Sequence, residues 1–219
     1  HMSIPKAVAM LGIGRENLHY VSCDDAYRML PAALSRAIKK DKADGRKPVA
    51  VIASAGTVNT GSIDPLAEIS SIARANHLWL HVDGAYGALA ALAVPEKLQG
   101  LCDADSISLD PHKWLFQPLD CGCILYRDAE LARTTFTYTG AYAKQLSSDP
   151  IEGFAFFEES MELSRRFRAL KLWLSLRYHG LQAFRETIRM NLEQAQRLAA
   201  EVKSHAELEL GAPVELSAV

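Results

Sequence analysis

The chain has 219 residues, 24 Lys and Arg against 26 Asp and Glu, a formal net charge of −2 and 49% hydrophobic residues. Such a composition supports a sizeable core and excludes disorder, collagen-like repeats and a disulfide scaffold. A charge this small, not segregated into blocks, attracts neither nucleic acid nor an anionic membrane. The longest apolar stretches, such as residues 48–56, are far too short to cross a bilayer, and no charged segment followed by an apolar one opens the chain, so a cytoplasmic location is expected. Cys23, Cys102, Cys121 and Cys123 form no C-x-x-C pair, which points to free thiols and no metal site, with Cys121 and Cys123 packed in a buried strand.

Asp24 and Asp25 precede a helical stretch at 26–42, within which Pro31 marks a break or a second start. Residues 49–54 have the pattern of a buried strand and 56–64 that of a loop rich in Gly, Thr and Asn. Pro65 then opens a short helix with an apolar stripe through Leu66, Ile69 and Ala73. Further strands are expected at 78–82, 106–109 and 122–126. Helix and strand thus alternate, as in an α/β fold whose mostly parallel sheet is covered by helices. From 160 to 179 apolar residues recur as Leu163, Phe167, Leu170, Leu174 and Tyr178, and after Gly180 as Phe184, Ile188, Leu192, Ala195 and Leu198. This spacing predicts two amphipathic helices around a glycine stop. Residues 207–219 resemble the opening of another strand.

Ligands in such sheets bind near the C-terminal ends of the strands. Three segments fall there: 55–61, 83–87 and 110–113. Lys113 follows a strand and a proline turn. Alone it is an ordinary surface lysine, but Trp114, Leu115 and Phe116 are expected to wall its amine and favour the neutral form that attacks a carbonyl. Asp83 ends a strand where a carboxylate without a partner is costly; alternatively it caps a helix starting near Gly84. Together the two residues fit a cofactor with an aldehyde and a ring nitrogen, which needs one lysine and one acid. Pyridoxal phosphate is such a cofactor, and Gly84 and Ala85 would admit its flat ring.

Five segments, 1–7 (HMSIPKA), 53–61 (ASAGTVNTG), 81–86 (HVDGAY), 110–114 (DPHKW) and 164–173 (SRRFRALKLW), closely resemble in order the pyridoxal-phosphate-dependent group II amino acid decarboxylases. Aromatic-L-amino-acid decarboxylase is the best-known member of that family. The resemblance implies the large domain of a fold type I PLP-dependent transferase, present in part over 1–205, with 206–219 starting the small C-terminal domain. It implies Lys113 as the Schiff-base lysine, Asp83 as partner of the pyridinium nitrogen, Ala85 against the ring, His1 stacked on its other face and His112 beside cofactor and substrate. Thr57 and Asn59 lie in the loop that in relatives gives polar contacts. Val58 stands where some relatives carry a hydroxyl, and Asp110 stands where several carry asparagine. A second anion beside a phosphate is unfavourable, so Asp110 is given no phosphate contact. Tyr142 matches the mobile-loop tyrosine that helps protonate the carbanion carbon; related aldehyde synthases often have phenylalanine there.

The implied reaction is decarboxylation of an L-amino acid, aromatic by family weight, with glutamate, aspartate and diaminobutyrate as alternatives. The full-length protein is expected to be a homodimer. Relative to the family the chain is expected to be cut at both ends, with the phosphate-holding loop upstream. His1-Met2 resembles an expression scar, but Ser3 and Lys6 fit the family pattern and favour a native histidine. Two other readings stand beside the first: an aldehyde synthase or other lyase of the same fold, and a catalytically silent fragment or interaction module. Arg165, Arg166 and Arg168 resemble the family's arginine-rich helix start and equally suit a charged helix face. His77, His179 and His205 are expected at helix ends, and Trp79 and Trp173 in the core.

Overall fold

The computed structural model describes residues 1–137 and 156–219. A first helix, α1 (Ser3–Met10), leads through a short turn of 3-10 helix to α2 (Pro31–Ala43). Helix α2 starts at Pro31, not at 26. Proline suits the first helical position because its missing N–H would have no intrahelical partner there. The residues before it form a turn, in which the Asp24 carboxylate accepts the N–H groups of Ala26 and Arg28 and Tyr27 takes a left-handed φ of 61°.

Among the described residues four strands follow: β1 (Ala50–Ser54), β2 (Trp79–Asp83), β3 (Ser106–Leu109) and β4 (Cys123–Tyr126). They lie side by side in the order β1-β2-β3-β4, with β1, β2 and β3 parallel and β4 antiparallel to β3. The register sets Val51 opposite Leu80 and Val82 opposite Ile107. Helix α3 (Leu66–Ala75) packs on β1 and β2 with the expected stripe of Leu66, Ile69 and Ala73 buried, and α2 packs beside it. Leu66, Ile69, Leu80, Val82, Ile188 and Leu216 are fully buried, and each contributes about 1.5–3 kcal/mol relative to exposure. Strand β4 is less buried than expected: Cys121, just before it, is buried, but Ile124 and Leu125 are about half exposed because β3 is the sole strand that pairs with β4 among the described residues.

After α4 (Pro111–Trp114) and α5 (Ala129–Phe136), the last helix, α6 (Arg168–Ser204), is broken at Gly180, whose φ of 75° and ψ of 156° are not helical. Beyond the break Phe184, Ile188, Ala195 and Ala199 are buried, whereas Leu198 is exposed. Before the break the helix expected from 160 begins only at Arg168, so Leu163 and Phe167 precede it, and the expected face is on the outside: both of these and Leu170, Leu174 and Tyr178 are exposed, while Leu172 and Leu176 pack on the core. This half carries two apolar stripes, and periodicity does not rank them. Trp173 is also exposed, with the Arg177 guanidinium 6.0 Å from its ring centre, and Trp79 is half-buried. His77, His179 and His205 lie at helix ends as expected.

Residues 207–219 form no strand. Instead Leu216 enters the core, and Ser217 bonds through both its N–H and its hydroxyl to the Tyr86 hydroxyl. Leu216 lies against Gly56 and Gly87, where a Cβ would fall 2.5 and 2.6 Å from its Cδ1. Among the described residues, no helix is long and apolar enough to cross a membrane.

Candidate active site

The three loops expected to converge are joined by backbone bonds that continue the sheet past its strands. Ala55 N–H donates to Asp83 O at 2.9 Å, Gly84 N–H to Ser108 O at 3.1 Å and Asp110 N–H to Ala85 O at 3.2 Å. The last of these sets the loop after β2 against the turn that carries Lys113, and the Tyr86 and Trp114 rings meet beside it with centres 5.1 Å apart.

Asp83 is half-buried at the end of β2. Its Oδ1 accepts from the Ser108 hydroxyl and from Ala85 N–H, both at 3.2 Å. It therefore closes a turn and does not cap a helix: the next helical residues begin at Ala88. These neutral donors hold the carboxylate in place. Gly84 is required by packing, since a Cβ there would stand 2.2 Å from that of Ala88; it does not open space for a ring, whereas Ala85 remains half-buried. Two residues before Asp83, His81 bonds to the Ser106 hydroxyl at 2.8 Å, and burial holds its imidazole below the ordinary histidine value despite the nearby Asp83 charge.

A cavity of about 690 Å³ opens beside β1, and Asp83, His1, Ser54, Thr57 and Asp64 all line it. His1 is exposed at its rim, with Nδ1 3.0 Å from the Ser3 hydroxyl. Thr57 is held by its N–H to Ser62 O at 3.0 Å. Asn59, whose N–H reaches Thr57 Oγ1 at 3.4 Å, is exposed on the outer side of the same loop, as is Val58, and neither lines the cavity.

Lys113 lies in the short helix α4, and the apolar wall expected around it is absent. Trp114 and Leu115 turn into the core, Phe116 is exposed, and the Lys113 side chain keeps 37% of its surface in solvent. Successive side chains on a helix point about 100° apart, so neighbours in sequence do not enclose one another. The group beside the Lys113 ammonium is Asp110, with Oδ2 2.8 Å from Nζ and 3.6 Å from His112 Nε2. The His112 ring is fixed from its other side, Nδ1 lying 2.8 Å from Cys121 O. Lys113, His112 and Ala85 thus stand together at the ends of β2 and β3, while His1, Thr57 and Asp83 share the cavity. Tyr142 lies outside the described residues. Among these, no cluster of three or more His, Cys, Asp or Glu suits a metal ion.

Sequence reasoning missed several residues that hold this site. Buried Asp64 accepts the N–H groups of Met29 and Ser54, both at 2.7 Å; burial raises its carboxyl above the ordinary range and these bonds oppose that shift. Gln117 and Lys171 tie the segment after Lys113 to α6. The Asp-Pro pair at 64–65 was a signal for a turn; nothing local marked Gln117. A primary amine and a fixed carboxylate on bonded neighbouring loops fit a planar heteroaromatic aldehyde with a basic ring nitrogen.

The family model for the pyridoxal-dependent decarboxylase conserved domain matches residues 1–219. The chain is 40% identical over its whole length to an aromatic-L-amino-acid decarboxylase of Bacillus atrophaeus, covering 46% of that protein. It is 38% identical to an L-2,4-diaminobutyrate decarboxylase of Rhizobium meliloti, covering 44% of it. The solved structure of Oryza sativa TDC with PLP and tryptamine superposes on 99% of the chain with a TM-score of 0.92 at 31% identity, and the chain covers 45% of it. The chain spans about half the length of the curated relatives it matches. Matched end to end by the family model and by relatives of this fold, the chain belongs to the pyridoxal-dependent decarboxylase family.

Proposed function

We propose that this chain carries the catalytic lysine of an enzyme that decarboxylates an L-amino acid, aromatic by preference, to its amine and carbon dioxide with pyridoxal phosphate. The observation that carries this reading is the bond from Asp110 N–H to Ala85 O, which joins the Asp83 loop to the Lys113 turn at the ends of adjacent parallel strands. When bound, the cofactor supplies an electron sink for the charge left as the carboxylate departs. Lys113 would hold it covalently, and its amine, with Asp110 2.8 Å away, would stand close by to carry a proton. Asp83, fixed by Ser108 and Ala85, offers its negative charge to the ring nitrogen. His1 and Thr57 line the cavity on that side, and Ala85 and His112 offer contacts on the other. Tyr142 is the proposed proton donor to the substrate carbon. A cytoplasmic homodimer is the proposed setting.

Incubation with pyridoxal phosphate, borohydride reduction and peptide mapping tests the anchor, and carbon dioxide and amine release from aromatic, acidic and diamino acids tests the reaction. Label confined to Lys113 with aromatic amine released supports the reading. Label scattered over surface lysines removes the anchor. Release of an aldehyde in place of the amine favours the synthase reading, and label without any turnover leaves the chain a silent part of its enzyme.

A further inference from the structure

We propose that Lys171 is a positioning residue for His112 and Lys113, acting through the segment that follows them; this rests on the reading of Lys113 as the covalent anchor. The Lys171 ammonium donates to two main-chain carbonyls of that segment, Pro118 O and Asp120 O, each at 2.7 Å. The residue after Asp120 is buried Cys121, whose carbonyl receives His112 Nδ1 at 2.8 Å. The peptide unit that holds Asp120 O also carries Cys121 N–H, 3.2 Å from His112 Nδ1, and Cys121 O accepts the His112 backbone N–H at 3.3 Å, so helix α6 reaches the imidazole next to Lys113 through this short stretch of backbone. An ordinary helix-surface lysine keeps its ammonium in water. This one is half-buried and ends on backbone.

Other residues of α6 and the stretch before it grip the same segment. The Asp120 carboxylate takes Arg166 and also Arg168, whose Nε lies 2.7 Å away, and Arg168 holds that carboxyl below its ordinary range. Buried Gln117 donates to Leu115 O at 2.6 Å and to Ser175 Oγ at 3.0 Å, and Trp114 Nε1 reaches Asn191 Oδ1 at 3.3 Å. The arginine pairs are exposed enough that each contributes little alone. Lys171 differs because its donors fix backbone, and bonds from a charged donor are the stronger kind. Without them the 118–121 backbone is free to shift, the Cys121 carbonyl leaves His112, and the reacting amine one residue on loses its setting. A displacement of about 1 Å at a reacting group costs up to roughly a hundredfold in rate.

The test compares Lys171→Met, which keeps the stem and deletes the donors, with Lys171→Arg, which restores them, and with Lys42→Met, which removes a lysine bonded to Asn76 elsewhere. Three quantities are measured on each chain: amide hydrogen exchange of peptides spanning 111–121, thermal midpoint, and the rate of borohydride-trapped capture of pyridoxal phosphate at each lysine. In Lys171→Met, exchange across 111–121 quickens about tenfold or more and capture at Lys113 slows roughly tenfold to a hundredfold, while capture at other lysines is unchanged. Lys171→Arg recovers most of both, and Lys42→Met alters neither at equal or greater loss of midpoint. Exchange and capture at the unmodified chain's values in Lys171→Met, or an arginine variant no better than methionine, would overturn the proposal. If the unmodified chain places no label on Lys113, the reading of Lys113 as the anchor falls by itself, and the role of Lys171 stands or falls on the exchange of 111–121.

Discussion

Asp83 and Lys113 are legible in the sequence because one ends a strand and the other follows a strand across a proline turn, where a charged side chain has a narrow set of reasons to stand. Their surroundings are not legible. The side-chain partner of Asp83 is Ser108, 25 residues away, and Asp64 holds Met29 across 35 residues. Replacing Asp64 by asparagine turns an amide N–H₂ toward one of two backbone donors, and we expect a loss of about 1–3 kcal/mol in denaturant unfolding. Asp83→Asn keeps the shape but removes the charge; tenfold or weaker retention of pyridoxal phosphate, followed by absorbance titration, is expected if the carboxylate meets a ring cation, at roughly the 1.4 kcal/mol that tenfold represents. His81 gives a pH dependence. Its folded value lies below 6.5 through burial, so the unfolded chain binds the proton more readily. The contribution is present above 6.5 and lost as pH falls through the folded value. Thermal midpoints should therefore fall between about pH 7.5 and about pH 5.5, and less so in His81→Gln.

At the scale of elements, the sequence places all four strands to within a residue of their bounds, because apolar runs between Gly- and Pro-bearing loops leave few alternatives. Orientation is harder. The sequence allows α2 two starts, of which the Asp24 turn selects Pro31, and the outward stripe of α6 is as periodic as the inward one. Gly87 shows how loops fix the site in a manner no local pattern reveals. A Cβ there would stand 2.4 Å from Ala55 O and 2.7 Å from Gly56 Cα, both backbone atoms that cannot swing aside. Gly87→Ala is expected to cost about 1–3 kcal/mol and to disturb both the Thr57 and Asp83 loops. Differential scanning calorimetry reads the first effect and cofactor titration the second.

For the molecule as a whole, family membership follows from the match over every residue, and the curated relatives that match it are about twice as long as this chain. The exposed row of Leu170, Leu174 and Tyr178 on α6, with Phe167 just before it, is an apolar surface of the kind that proteins cover in assemblies. Leu216 is the opposite case, a side chain from the far end of the chain that completes the core under the loops of β1 and β2. Leu216→Ala should cost about 2–5 kcal/mol in chemical unfolding, by lost transfer and the cavity left behind.

That contact also bears on the order in which the protein is made. Tyr86 and Ser217 are 131 residues apart, so at a synthesis rate of about 5–20 residues per second the loops bearing Thr57 and Asp83 wait on the order of ten seconds for the side chain that locks them. During translation the sheet can assemble while its ligand-facing edge stays unfastened. A nascent chain released before residue 216 would hold every residue of the candidate site and still lack the wedge that keeps two of its loops together.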